Sequence, residues 1–207
     1  MSLILLPGLG QTAASWQKIH DALTVRTDQT TLDYTMLPLP SPLTYPALYT
    51  EVSRTCQQHK APLDLCGLSL GAVLALHYAL DHPEQIRSLT LVNGQYRMPT
   101  ALLRCQNFIF HCLPHAVFQD FGFQKKDVIS LTQSMMHLDF QSDLAKLSCP
   151  ILIISGSKDR ANRPAAHRLH QLIPNSHFTE IEGGHELNQQ APQALSQALE
   201  EFLTSIT

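Results

Sequence analysis

The strongest chemical signal in the chain is residues 67–71, GLSLG, which match the pattern G-x-S-x-G around Ser69. With 9 glycines in 207 residues, composition alone gives about 0.03 chance matches to this pattern. A short apolar run precedes the motif and an apolar helical stretch follows it, so Ser69 is expected on a tight strand-to-helix turn. A side chain at either glycine would collide with neighbouring backbone there. The pattern predicts that Ser69 is a nucleophile, although such a turn can also be a plain connection.

A serine hydroxyl is a weak nucleophile and needs a base within hydrogen-bond reach. His185 is the best candidate of the 11 histidines, because it follows two glycines directly after the last predicted strand. The base in turn needs an acceptor that fixes its tautomer. Asp159 lies just past the fifth predicted strand and is the preferred acid, with Asp143 as a weaker alternative. Taken alone, Asp159 could equally be an aspartate that caps a turn.

The elements that must position these residues form a regular alternation of short apolar runs and helical stretches. This alternation predicts an α/β fold with a mostly parallel sheet of about six strands and helices on both faces. The predicted strands are residues 3–6, 31–37, 63–66, 88–92, 151–155 and 178–182. The predicted helices are residues 12–24, 48–59, 72–80 and 192–203. Ser69 and His185 should then lie at the same edge of the sheet.

One stretch, residues 95–147, interrupts this alternation between the fourth and fifth strands. It contains six of the eight phenylalanines, and so long a structureless loop is unusual in a compact domain. We predict a helical cap inserted into a single domain, residues 1–207, and covering the carboxyl edge of the sheet. The six phenylalanines, with Met98, Met135 and Met136, are expected to pack mostly against the sheet, while a few face the substrate.

Composition and charge exclude several classes of function. The formal charge of −3 and the absence of a basic block argue against nucleic-acid binding, and no apolar run is long enough to span a membrane. The N-terminal apolar run is too short for a signal peptide, and five cysteines without a CxxC pair favour a reduced, cytoplasmic setting. A group of cysteines and histidines in the cap lacks the usual spacing of zinc ligands, so no metal and no cofactor are predicted. It comprises Cys105, His111, Cys112 and His115.

With its motif and the order Ser69, Asp159, His185, the whole chain resembles the α/β-hydrolase superfamily, and most closely its small, lid-bearing esterase-like members. The resemblance implies an oxyanion hole formed by the backbone N–H groups of Leu9 and Leu70. One departure is Pro7 followed by glycine, where many relatives have His-Gly. Proline has no N–H and a fixed φ, so this loop must be braced differently.

The leading hypothesis is therefore a serine hydrolase that cleaves a carboxylic ester or thioester of a small, largely apolar molecule through an acyl-enzyme. Two alternatives remain. Lyases and C–C bond hydrolases of this fold use the same triad as a base, and the scaffold can also serve as a non-catalytic receptor for a small ligand. The sequence names neither the substrate nor the oligomeric state.

Overall fold

A single parallel sheet forms the centre of the molecule in the computed structural model, which describes residues 2–24 and 28–206, without the side chains of residues 119–121. Its strand order is β2-β1-β3-β4-β5-β6. The strands are β1 (Ser2–Leu6), β2 (Asp28–Thr31), β3 (Leu63–Leu68), β4 (Ile86–Val92), β5 (Ile151–Gly156) and β6 (His177–Ile181). The order reverses between β1 and β3, and the carboxyl ends of strands at such a point form a natural crevice.

Eight α-helices lie in the described part of the chain. They are α1 (Gln17–Ala22), α2 (Tyr45–Gln57), α3 (Leu70–Asp81), α4 (Thr100–Cys112), α5 (Lys125–Met135), α6 (Arg163–Leu172), α7 (Leu187–Gln190) and α8 (Pro192–Ser205). Residues of β1 alternate between two apolar cores, because side chains in a strand point to opposite faces in turn. Ile4 and Leu6 pack with α2, α3 and α6, whereas Leu3 and Leu5 pack with α1 and α8. The predicted fold class is thus confirmed, with every strand pair in the sheet parallel.

The prediction of a second strand at residues 31–37 is wrong for most of its length. The strand ends at Thr31, and Tyr34–Met36 form one turn of 3₁₀ helix. The side chain of Asp33 accepts a hydrogen bond from the backbone N–H of Thr35, which stabilises a turn instead of an extended chain. Leu32 and Tyr34 are buried against the core from a loop, whereas Met36 is 83% exposed, so the burial of two loop residues imitates the pattern of a strand.

The segment between β4 and β5 contains α4, α5 and two 3₁₀ turns. Helix α4 has an unusual distribution of side chains: its one buried residue is Asn107, whereas Phe108 is 72% exposed. Helices are thus present in this segment, but its phenylalanines do not act as one group. Phe118 and Phe140 are buried, and the side chain of Phe121 lies outside the described part. Within the described residues, no helix is both long and apolar enough to cross a membrane.

Candidate active site

Ser69 occupies a sharp turn between β3 and α3, with φ of 55° and ψ of −113°. This positive φ is uncommon for a residue with a side chain and is found where the surrounding structure imposes it. The backbone N–H of Ser69 donates to Val92 O at 2.9 Å, and its carbonyl accepts from Val73 N at 3.1 Å, which fixes the turn on both sides. The turn leaves the serine partly exposed at the carboxyl edge of the sheet.

The two glycines of the motif are required by close backbone approaches. A Cβ atom on Gly67 would overlap the carbonyl of Gly71, and a Cβ on Gly71 would overlap the carbonyl of Leu6 at the end of β1. The spacing of the motif therefore has the steric origin expected from the sequence: the helix must start directly against two strand ends.

His185 and Asp159 meet across the loops that follow β6 and β5. His185 Nδ1 lies 2.7 Å from Asp159 Oδ2. Because a carboxylate only accepts hydrogen bonds, Nδ1 must carry the proton and Nε2 is left as the basic nitrogen. Asp143, the alternative acid, instead forms an ion pair with Lys146 at 2.7 Å and does not line the same cavity.

Asp159 is held in its ionised form by the side chains of His185 and Asn162. Burial by itself would raise the pKa of Asp159, but hydrogen bonds from His185 and Asn162 outweigh it and lower the pKa below the usual value. Asn162 Nδ2 donates to both carboxylate oxygens, at 3.0 and 2.9 Å, and its own carbonyl accepts from Gln95 Nε2 at 2.8 Å. The carboxylate is thus both charged and fixed in orientation.

Asn93, directly after β4, ties the histidine loop to the sheet. Its Nδ2 donates to the carbonyl of His185 at 2.8 Å, and its Oδ1 accepts from the N–H of Gly156 at 2.8 Å. The residue has φ of 48° and is almost completely buried. Sequence reasoning missed Asn93 and Asn162, although a polar residue directly after a buried strand is a signal that could have identified Asn93.

One cavity of about 640 Å³ brings the predicted residues together: Ser69, Asp159 and His185 all line it, as do Leu9 and Leu70. Its wall on the side of the insertion is mostly apolar. The apolar residues there are Met98, Pro99, Leu102, Leu103, Ile109, Phe110 and Met135, and the polar residues Gln106 and Thr132 line the same side. Among the described residues that line the cavity, Asp159 is the only formally charged one at neutral pH.

The predicted donors of the oxyanion hole are the backbone N–H groups of Leu9 and Leu70. Leu70 is the first residue of α3, and the first N–H groups of a helix have no partner within it. In the part of the chain that the structure describes, neither Leu9 N–H nor Leu70 N–H donates a hydrogen bond to a neighbour. The loop before Leu9 is fixed by Tyr34, whose hydroxyl donates to the carbonyl of Pro7 at 2.9 Å.

A model of the alpha/beta hydrolase family matches residues 3–198, nearly the whole chain. The chain belongs to the α/β-hydrolase family. Among curated relatives of this α/β-hydrolase, "Putative carbamate hydrolase RutD" from Klebsiella pneumoniae is 26% identical, over 90% of this chain and 85% of the relative.

Solved structures of other hydrolases have the same fold as this α/β-hydrolase. A hydrolase from Pseudomonas aeruginosa PA01 superposes with a TM-score of 0.83 at 20% identity, covering 98% of this chain and 89% of the other. The enol-lactonase from Burkholderia xenovorans LB400 superposes with a TM-score of 0.78 at 21% identity, covering 98% and 91%. At these identities the likeness establishes the fold alone.

Among the described residues, no group of three or more His, Cys, Asp or Glu side chains is placed to hold a metal ion. Cys105 and Cys112 are free and exposed, and His111 Nδ1 is directed at the carbonyl of Asn107 in its own helix. The catalytic roles of Ser69, Asp159 and His185 in this α/β-hydrolase remain predictions. Variants chosen from the contacts described above test them.

Asp159→Asn is expected to lower kcat by about 10⁴, because an amide can hold the histidine in the wrong tautomer. Asp143→Asn is the matched control, since it also removes one carboxylate but breaks only a half-exposed ion pair. We expect it to retain the kcat of the unmodified protein. Steady-state hydrolysis of p-nitrophenyl acetate measures both. A larger loss from Asp143→Asn would show that the acid has been wrongly chosen.

Leu9→Pro is expected to reduce kcat by about 10²–10³, because proline deletes one of the two predicted oxyanion donors. Leu9→Ala keeps the N–H and should have a mild effect, since the backbone carries the role. Comparing kcat for the two variants, with the melting temperature of each, separates the donor from the side chain. Equal losses in both variants would assign the effect to packing of Leu9 instead.

Proposed function

We propose that the protein is a cytoplasmic serine hydrolase that cleaves a small, uncharged carboxylic ester or thioester through an acyl-enzyme. The observation that carries the proposal is the shared cavity. In it a serine on a strained strand-to-helix turn lies with a histidine whose Nδ1 is bonded to a buried, ionised aspartate. A base oriented in this way can accept the serine proton, and a nucleophile so activated attacks a carbonyl carbon.

The proposed reaction has two halves. Ser69 Oγ attacks the carbonyl carbon while His185 Nε2 takes its proton, and the N–H groups of Leu9 and Leu70 stabilise the resulting oxyanion. Collapse expels the alcohol or thiol, which receives the proton from His185. Water then attacks the carbonyl carbon of the acyl-enzyme while His185 Nε2 takes its proton. His185 returns that proton to Ser69 Oγ as the carboxylic acid is released.

The experiment that tests this function is labelling with a fluorophosphonate, read out by intact mass, with Ser69→Ala as control. An activated serine forms a covalent adduct at one site, whereas a ligand receptor on this scaffold would not be labelled efficiently. Turnover of p-nitrophenyl and thioester substrates, with identification of the products, then distinguishes hydrolysis from lyase chemistry. Absence of both labelling and turnover in the folded protein would overturn the proposal.

Carbamates form a second candidate substrate class, favoured by the match to the RutD relative over most of both chains. A carbamate presents the same trigonal carbonyl to Ser69, and attack would give a carbamoyl-enzyme in place of an acyl-enzyme. Parallel assays of p-nitrophenyl acetate and a p-nitrophenyl carbamate compare the two classes directly, because the leaving group is the same. The ratio of kcat/KM values identifies which acyl group the cavity prefers.

The apolar wall of the cavity leads to a prediction about acyl length. Each methylene buried there contributes about 0.8 kcal/mol, so kcat/KM should rise along a series of p-nitrophenyl esters until the cavity is full. Phe110→Ala should shift this optimum, because Phe110 is the phenylalanine of the insertion that lines the cavity among the described side chains.

Phe140→Ala provides the matched control for this change. Phe140 is buried and packs on His77, with ring centroids 5.0 Å apart, and it does not line the cavity. Its loss should lower the melting temperature and leave the optimum unchanged. If Phe110→Ala also kept the same optimum, the insertion would not form the acyl pocket.

A further inference from the structure

A pair of buried side-chain amides connects the loop after β1 with the segment that follows His185. Gln11 is 6% exposed and Asn188 is completely buried. Gln11 Nε2 donates to Asn188 Oδ1 at 3.1 Å, and Asn188 Nδ2 donates back to Gln11 Oε1 at 3.2 Å. The two residues are 177 positions apart in the chain, so this reciprocal contact exists only once the two ends of the fold have come together.

At its first end, the pair controls the loop that carries Leu9. Gln11 Oε1 also accepts from the backbone N–H of Gly8 at 3.1 Å, and Gln11 N–H donates to the carbonyl of Gly8 at 3.1 Å. Gly8 is therefore held from both sides, and the peptide that follows it carries the N–H of Leu9, a residue that lines the cavity. These bonds are the brace that a loop beginning with Pro7 requires.

At its second end, the pair is attached to the histidine segment. Asn188 lies on α7, three residues after His185, and its second N–H donates to the carbonyl of Ser15 at 3.1 Å. The second N–H of Gln11 donates to Glu186 Oε1 at 3.3 Å, directly beside His185. All four amide hydrogens of the pair thus have acceptors, and a fully paired buried network favours a single arrangement of its members.

We propose that Gln11 and Asn188 are positioning residues, which hold the Leu9 N–H and the His185 ring at the separation that the reaction requires. Neither side chain lines the cavity, so both act through their neighbours. The inference rests on the proposed function, because it assigns Leu9 and His185 the roles given there. An error of about 1 Å in the position of a reacting group can cost about 10² in rate.

The test uses Gln11→Met and Asn188→Leu, which keep side-chain size and remove the hydrogen bonds, and the double variant. We expect each single change to lower kcat for p-nitrophenyl acetate by about 10-fold to 100-fold with KM nearly unchanged. The double variant should be little worse than either single one, because both break the same link. A trifluoromethyl ketone, whose adduct places an oxyanion in the hole, should bind more weakly by a similar factor.

Two variants separate positioning from general stability. Asn188→Leu leaves Gln11 and its bond with the Gly8 N–H in place, so it tests the link even where Gln11→Met does not fold. Ser88→Ala removes a different buried hydrogen bond, which Ser88 donates to Asp64. Both residues lie near the amino ends of their strands, β4 and β3, whereas Ser69 follows the carboxyl end of β3. Ser88→Ala should lower the melting temperature without changing kcat.

Several results would overturn the inference while leaving the proposed function in place. These are an unchanged kcat in both single variants, a rise in KM alone, additive losses in the double variant, or equal losses in Ser88→Ala. Failure of the proposed function has a different signature, because the unmodified protein would then show neither turnover nor fluorophosphonate labelling. The positioning role would fall with it.

Discussion

Ser69→Ala is expected to abolish ester turnover and fluorophosphonate labelling without unfolding the protein. Loss of the nucleophile in a serine triad costs on the order of 10⁶ in kcat. The fold should tolerate the change, since the turn is fixed by backbone bonds to Val92 and Val73 and no hydrogen bond of the Ser69 hydroxyl occurs among the described residues. Circular dichroism and the melting temperature should therefore match those of the unmodified protein.

Ser205→Ala is a suitable control for this experiment. Ser205 ends α8, where its hydroxyl donates to the carbonyl of Phe202, far along the chain from the motif. It should leave both turnover and labelling at one site intact. Near-normal kcat in Ser69→Ala would contradict the whole mechanism, whatever the state of the other residues.

His185→Ala is expected to be about as damaging as the serine change, because the members of a triad act as a unit and their losses do not add. The double variant with Ser69→Ala should accordingly be no slower than either single one. Removing the ring also leaves Asp159 buried with Asn162 as its remaining side-chain donor, so a modest fall in melting temperature is expected. Retention of most activity would mean that another group is the base.

The pH profile gives a second measurement of the same role. Only a neutral imidazole can act as the base, so kcat/KM should fall on the acidic side of the profile. The pKa of Asp159 is lowered in the folded protein, so its carboxylate should stay ionised over this range. The acidic limb of log(kcat/KM) should therefore have a slope of one, and a slope of two would indicate that both groups protonate together. The residual activity of His185→Ala should lack this limb.

Most of the sheet could be predicted from sequence because buried parallel strands are continuous apolar runs with clear ends. The predicted strand at residues 151–155 differs from β5 by one residue, whereas β2 was misplaced because Leu32 and Tyr34 are buried from a loop. Helix α6 was not predicted at all. Its buried residues are only Ala166 and Leu169, so its apolar stripe is too narrow to stand out from a polar connection.

Some residues of the candidate site could be identified from their neighbours in the sequence, whereas others become identifiable only once the fold is known. Ser69 was identifiable because steric demands of its turn place glycines at fixed spacing, and His185 and Asp159 because each follows a predicted strand. Asn162 and Gln11 could not be found, since their roles depend on which loops meet in space. An asparagine three residues after an aspartate carries no signal until the fold brings His185 beside both.

The order of strands in the sheet also determines when during folding the site can exist. Neighbours in the sheet are far apart in the chain: β1 pairs with β3, and β4 with β5 across the whole insertion. Closing such long loops is entropically costly and slows folding in parallel sheets. Because the cavity draws on residues at the ends of β3, β5 and β6, we expect a refolding chain to assemble it only after these strands have paired.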